Sequence, residues 1–173
     1  MKKYLLIISA SVFILVLLML VAGITSGLKT KAVQAEECAS LPDFTLTTTD
    51  HKSFSSSEIR YGPLLIVHFN PECEHCRYEI QSMIHSSLPS LGYRVLLITE
   101  APADSVIRFI SHDSVSMYST FTVLLDTMGV FCDKFGSSYI PANFIYDKDL
   151  RFVKYLEGEY KTATLIRYLS ANE

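Results

Sequence analysis

Phe69-Asn70-Pro71-Glu72-Cys73-Glu74-His75-Cys76-Arg77 joins two segments of different periodicity. Before it, Leu64-Leu65-Ile66-Val67-His68-Phe69 is a nearly continuous apolar run of strand-forming residues, which predicts a central strand buried on both faces. After it, Glu74 to Ser87 reads as a helix, with Tyr78, Ile80, Met83 and Ile84 as its apolar positions. Two cysteines, three positions apart, therefore fall where a strand ends and a helix begins. The first turn of a helix carries about half a positive charge and several unpaired N–H groups. A thiolate at Cys73 is stabilised there, and the thiolate is the attacking species. Cys76 lies one turn on, on the same face, so the two sulfurs can close a disulfide without unwinding the helix. Cys73 is the expected nucleophile and Cys76 the resolving thiol. Glu74 and His75 tune the pair in opposite senses: a protonated His75 favours the thiolate and Glu74 opposes it. Whether disulfides are donated or removed stays open at this level.

Working outward, Leu41 to Thr47 alternates apolar and polar residues, as a half-exposed strand does, and a short strand follows near Phe54. Ser55-Ser56-Ser57-Glu58 supplies a helix cap with an acidic first turn. Tyr93 to Thr99 and Phe121 to Leu125 predict two further buried strands, separated by a helix over Pro102 to His112. Gly129 to Phe135 reads as a short helix. Ala142 to Tyr146 and Arg151 to Leu156 form a hairpin turned by Asp147-Lys148-Asp149, and a helix closes the chain from Lys161 to Ser170. This order predicts an α/β sandwich of three layers with a mixed central sheet whose central strands are parallel.

The chain has 173 residues, 49% of them hydrophobic and 19% charged, with a net charge of −3. No basic run follows the N-terminus, so nucleic-acid binding has no electrostatic support. Met1-Lys2-Lys3 leads into an apolar stretch from Tyr4 to Ile24, and about 20 such residues span a bilayer core. Residues 1–27 are expected to be a transmembrane signal-anchor, with the two lysines in the cytoplasm. The alternative is a cleaved leader cut after Val33-Gln34-Ala35. Glu36 and Glu37 stand where a lipidated Cys38 would want small residues. Residues 28–40 suit a linker, and residues 41–173 form one domain, large enough to bury its own core. Either leader reading places that domain outside the cytoplasmic membrane, on the periplasmic side, where disulfides persist.

Four cysteines occur, Cys38, Cys73, Cys76 and Cys132, and only one pair is close. A four-thiolate zinc site would want a second close pair. Copper or zinc held by Cys73, His75 and Cys76 is the competing reading, although neighbouring helical positions diverge by about 100°. No metal or cofactor is assigned. Cys132 reads as a small buried hydrophobe, and a link from it to Cys38 has no support in the spacing. Pro141, in Tyr139-Ile140-Pro141-Ala142, opens an apolar strand, a place where proline is tolerated. A cis Ile140–Pro141 bond would turn the backbone toward the sulfurs and expose main-chain groups to an extended substrate.

These residues resemble the thioredoxin superfamily and, within it, the membrane-tethered TlpA/ResA-like thiol–disulfide oxidoreductases. The resemblance covers residues 41–170. Leu41 to Leu46 looks like the opening strand, Leu64 to Cys76 like the strand entering the CxxC helix, and Phe144 to Val153 like the closing hairpin. Cys76 and Pro141 are 65 positions apart, which suits that group's extra strand–helix insertion. The resemblance implies Cys73 as nucleophile, Cys76 as resolving thiol, Pro141 as the substrate-loop cis-proline and no cofactor. Its implied partners are extracytoplasmic protein thiols and disulfides, such as an apo-cytochrome, and a redox partner protein. Two positions depart from it. Glu72 replaces the usual tryptophan before the first cysteine, and Val67 replaces the buried aspartate of thioredoxins. A proton acceptor for Cys76 is therefore unassigned, since His68 should point to the other face of its strand. The peroxiredoxin signature Pro-x-x-x-Thr/Ser-x-x-Cys is missing, which leaves peroxidase activity a weaker alternative.

Overall fold

The computed structural model describes residues 13–19, 39–60 and 62–171. The chain divides into two compact units, Met1–Glu36 and Glu37–Glu173. In the first unit, residues 13–19 form a helix, α1, whose seven side chains are all apolar and all exposed. A helix apolar on every side has no face suited to water. No helix among the described residues is long and apolar enough to cross a membrane. Most of the expected anchor and linker, and Cys38, lie outside the described residues.

The second unit is built on a seven-stranded sheet in the order β2-β1-β5-β4-β3-β6-β7. Its strands are β1 (Thr45–Thr48), β2 (Ser53–Ser55), β3 (Leu64–His68), β4 (Arg94–Thr99), β5 (Phe121–Leu125), β6 (Ala142–Tyr146) and β7 (Phe152–Glu157). The helices are α2 (Glu74–Ile84), α3 (Ala103–His112), α4 (Val130–Phe135) and α5 (Thr162–Ser170). β3, β4 and β5 run parallel, while β6, β7 and β1 pair antiparallel with their neighbours. The sheet is mixed, as the strand and helix order predicts.

Alternation along β3 divides the core in two. Leu65, Val67 and Phe69 face one way, with Cys76, Ile80, Met83 and Ile84 of α2, Val106 and Phe109 of α3, and Leu165 and Leu169 of α5. Leu64 and Ile66 face the other, with Phe131 and Phe135 of α4 and Phe144 of β6. Because β3, β4 and β5 are adjacent and parallel, α2 and α3 cross over on the same face, as two connections of one hand must. Every residue of β3 and of β6 is buried, which explains their lack of polar–apolar alternation.

Two sequence expectations about α2 need correction. The helix ends at Ile84 rather than near Ser87. The Ser86 hydroxyl donates to the Met83 carbonyl at 2.7 Å and accepts from the Leu88 amide, and Pro89 then prevents continuation. The apolar face is also rotated from the expected one: Tyr78 is 65% exposed, whereas Glu79 is wholly buried. A stripe of period 3.6 that begins at Cys76 runs through 79, 80, 83 and 84 and leaves position 78 outside.

Candidate active site

α2 starts because Cys73 leaves the helical backbone and caps it. Cys73 has φ −82° and ψ 118°, and its sulfur accepts a hydrogen bond from the Cys76 amide at 3.4 Å. The turn before it is tied by Asn70, whose carbonyl accepts from the Cys73 amide at 3.0 Å and whose side chain accepts from the Glu72 amide at 2.9 Å. Sulfur thus occupies the place of a capping oxygen, facing the positive end of the helix. Cys73, Cys76 and Cys132 are free thiols.

The two sulfurs of the motif differ sharply in environment. Cys73 is partly exposed, and Cys76 is wholly buried. Burial, and secondarily the contact with Cys73, push the Cys76 thiol up to about 12, against a backbone hydrogen bond from Asn70 that works the other way. Cys76 therefore needs a group to take its proton.

Glu79 is placed for that task, and it escaped the sequence reading. It lies one helical turn beyond Cys76, on the same buried stripe, and the two groups act on one another electrostatically. Its Oε1 accepts from Asn143 Nδ2 of β6 at 3.0 Å and from the Tyr160 amide at 2.9 Å. Its Oε2 has no partner among the described residues. Burial raises its carboxyl to about 7, only partly offset by the bonds from Tyr160 and Asn143. Val67, where thioredoxins carry aspartate, is simply core. The buried carboxyl one helical turn from the thiol comes from the helix and not from the strand. The available signal was a glutamate on the apolar stripe defined by Cys76, Ile80 and Met83.

The Ile140–Pro141 bond is cis. The Pro141 carbonyl accepts from the Gly158 amide at 2.8 Å, while Tyr139 and Ile140 are exposed. His68 lies on the opposite face of β3 from Cys76, stacked on Phe131, and its Nδ1 lies 3.1 Å from the Tyr139 carbonyl. A carbonyl only accepts, so Nδ1 carries the hydrogen. His75 Nδ1 lies 2.7 Å from Glu159 Oε2, at the surface. Glu74 lies exposed in the first turn of α2. Glu72, in the tryptophan position, accepts from the Ser105 hydroxyl of α3 at 2.7 Å. The Cys132 thiol donates to Glu100 at 3.4 Å and is pushed up to about 11, chiefly by burial. No group of three or more His, Cys, Asp or Glu suited to a metal ion occurs among the described residues, so the copper or zinc reading gains no geometric support.

This arrangement has counterparts. Thiol-disulfide oxidoreductase ResA of Bacillus thuringiensis is 24% identical over 163 residues, covering 91% of this chain and 92% of that protein. Among solved structures, a thiol:disulfide interchange protein of the thioredoxin family from Chlorobium tepidum matches with a TM-score of 0.66 at 21% identity, over 78% of this chain and 95% of that one. A secreted Mycobacterium tuberculosis disulfide oxidoreductase, described as homologous to E. coli DsbE, matches with a TM-score of 0.65 at 20% identity, over 79% and 98%. These likenesses establish the thioredoxin-like fold. The AhpC/TSA family model matches residues 39–155, from the first bridge of the sheet into β7, and with most of the folded unit inside that match the chain belongs to the AhpC/TSA family of thioredoxin-like proteins.

Proposed function

We infer that the protein is an extracytoplasmic thiol–disulfide oxidoreductase that exchanges disulfides with protein clients through Cys73 and Cys76. The observation that carries this reading is the asymmetry of the dithiol: an accessible sulfur at a helix N-terminus, backed by a buried one with a buried carboxyl one turn further along the helix. In the reductive direction the Cys73 thiolate attacks a client disulfide. A Cys73–client bond forms, the client S–S bond breaks, and one client thiolate leaves. Cys76 then passes its proton to Glu79 and attacks the Cys73 sulfur. The Cys73–Cys76 disulfide forms, the second client thiolate leaves, and two electrons have moved from the dithiol to the client. The reverse sequence inserts a disulfide.

The loop of Tyr139, Ile140 and Pro141 is the reading's client-binding edge, offering exposed apolar side chains beside backbone able to pair with an extended chain. Glu74 and His75 are its tuning residues. The apolar run from Tyr4 to Ile24 behind Lys2 and Lys3 supports a single-pass anchor in the cytoplasmic membrane, with the folded unit on the periplasmic side. The absence of the peroxiredoxin signature favours exchange over peroxide reduction.

Trapping tests this reading. In the full chain, Cys76→Ser should leave clients bound to Cys73 as mixed disulfides that dithiothreitol releases and that Cys73→Ser never forms. Adducts that persist in Cys73→Ser, or a Cys73 no more reactive at neutral pH than free cysteine, would overturn it.

A further inference from the structure

The loop that follows β7 bonds to Pro141, Asn143, His75 and Glu79 of the site. The Gly158 amide donates to the Pro141 carbonyl at 2.8 Å, and the Gly158 carbonyl lies 3.5 Å from Asn143 Nδ2. Gly158 has φ +90°, a left-handed turn that glycine enters without strain. Next in the chain, Glu159 pairs with His75 at 2.7 Å. The third residue, Tyr160, donates its amide to Glu79 at 2.9 Å. One tripeptide thus links the proline loop, one of the two residues between the cysteines, and the buried carboxyl.

The attachment at its outer side is a contact of two exposed side chains, one of them inside the CxxC motif. A surface pair of this kind contributes little stability on its own. Its worth here is geometric, because it restrains the peptide whose N–H must stay on Glu79 Oε1. We propose that His75 and Glu159 form a latch that positions the Tyr160 amide on Glu79, making Glu159 a positioning residue for proton transfer from Cys76. The inference rests on the disulfide-exchange reading and on Glu79 as proton acceptor. It also gives the central dipeptide of the motif a role distinct from direct tuning of Cys73.

Charge and position act with opposite signs, which makes the latch testable. The ionisable groups acting on Glu79 are Glu159, from the loop, and Cys76, from its own helix; β6 contributes the neutral Asn143. The carboxylate of Glu159 raises the Glu79 pKa, so removing the charge lowers it. The Tyr160 amide bond lowers the Glu79 pKa, so loosening that bond raises it. Glu159→Gln removes the charge and keeps a hydrogen-bonding partner for His75. Glu159→Ala removes both.

The experiment uses the full chain in detergent, with Cys38→Ser and Cys132→Ser in every variant so that only two thiols report. Reduced protein is mixed with 5,5′-dithiobis(2-nitrobenzoate). The first thionitrobenzoate release reports attack by Cys73, and the second reports displacement by Cys76. The pH midpoint of the second phase should lie at least about 0.5 unit higher for Glu159→Ala than for Glu159→Gln. Adding His75→Ala should move the Glu159→Gln midpoint upward and leave the Glu159→Ala midpoint where it is, since the latch is already gone. Coincident midpoints for the two Glu159 variants overturn the latch. Glu79→Gln separates the levels: if it slows the second phase while the Glu159 variants coincide, only the latch fails. If Glu79→Gln leaves the second phase as it was, the proton-acceptor role fails with it, and a second phase that survives Cys76→Ser sinks the exchange reading itself.

Discussion

Asn143 and Glu79 meet across 3.0 Å although 64 residues separate them in the chain. Asn143 is the second residue of β6, two positions beyond Pro141 of the cis Ile140–Pro141 bond, and it pairs in register with Val67 of β3. The strand that carries the proline loop therefore also holds the carboxyl that serves the buried cysteine. In the proposed function, the client loop and the asparagine that holds the proton acceptor thus belong to one strand and its leading turn.

The contrast between the cysteines predicts selective alkylation. With its thiol near 12 and no exposed surface, Cys76 holds on the order of 10⁻⁴ of its population as thiolate at pH 8. Brief treatment of the reduced native protein with iodoacetamide should label Cys73 at least about 100-fold faster than Cys76, read by peptide mass spectrometry. Equal labelling of the two in the folded protein would contradict the burial described here.

Glu79 makes stability depend on pH in an unusual direction. Its carboxyl moves from an ordinary 4.5 to about 7, so between those values the folded state holds a proton that the unfolded state has lost. Stability is then full below the unfolded value and declines as pH rises toward 7, by about 3 kcal/mol in all. Urea titrations at pH 5 and pH 8 should show this fall in the wild-type protein, and it should be largely gone in Glu79→Gln.

His68→Leu removes the Nδ1–H that satisfies the Tyr139 carbonyl and the ring stacked on Phe131 at 4.4 Å. The expected cost is about 1–3 kcal/mol of folding stability. Burial also lowers the His68 pKa below its ordinary 6.5, so the unfolded chain binds this proton more readily and wild-type stability falls on acidification below that value. Denaturation midpoints across pH 5 to 7 should lose that contribution in the variant.

Asp126, buried at the end of β5, accepts from the Val130 amide at 2.9 Å and the Phe131 amide at 2.6 Å, and so caps α4 where its N-cap residue, Gly129, has no side chain. Asp126→Ala should cost about 2 kcal/mol. Since α4 supplies Phe131 and Phe135 to the core on the face away from Cys76, the loss should appear in chemical denaturation, with the thionitrobenzoate phases nearly unaltered under native conditions.

Local pattern carried a good deal of this protein. The continuous apolar run of β3, the period of α2 and the three-residue spacing of Cys73 and Cys76 are properties of neighbouring residues, and they define the strand–helix junction where a capping sulfur is stabilised. The same pattern misjudged Tyr78 and Glu79, because a tyrosine counts as apolar and a glutamate as polar until the stripe on the sheet is known. The bonds of Glu79 to Asn143 and the Tyr160 amide, and the pairing of His75 with Glu159, join residues 64, 81 and 84 positions apart. Separations of that size leave no periodic trace in a chain. Only the sheet order, which sets β6 beside β3 and brings the loop after β7 to the start of α2, gives the buried glutamate its partners and the role proposed for it.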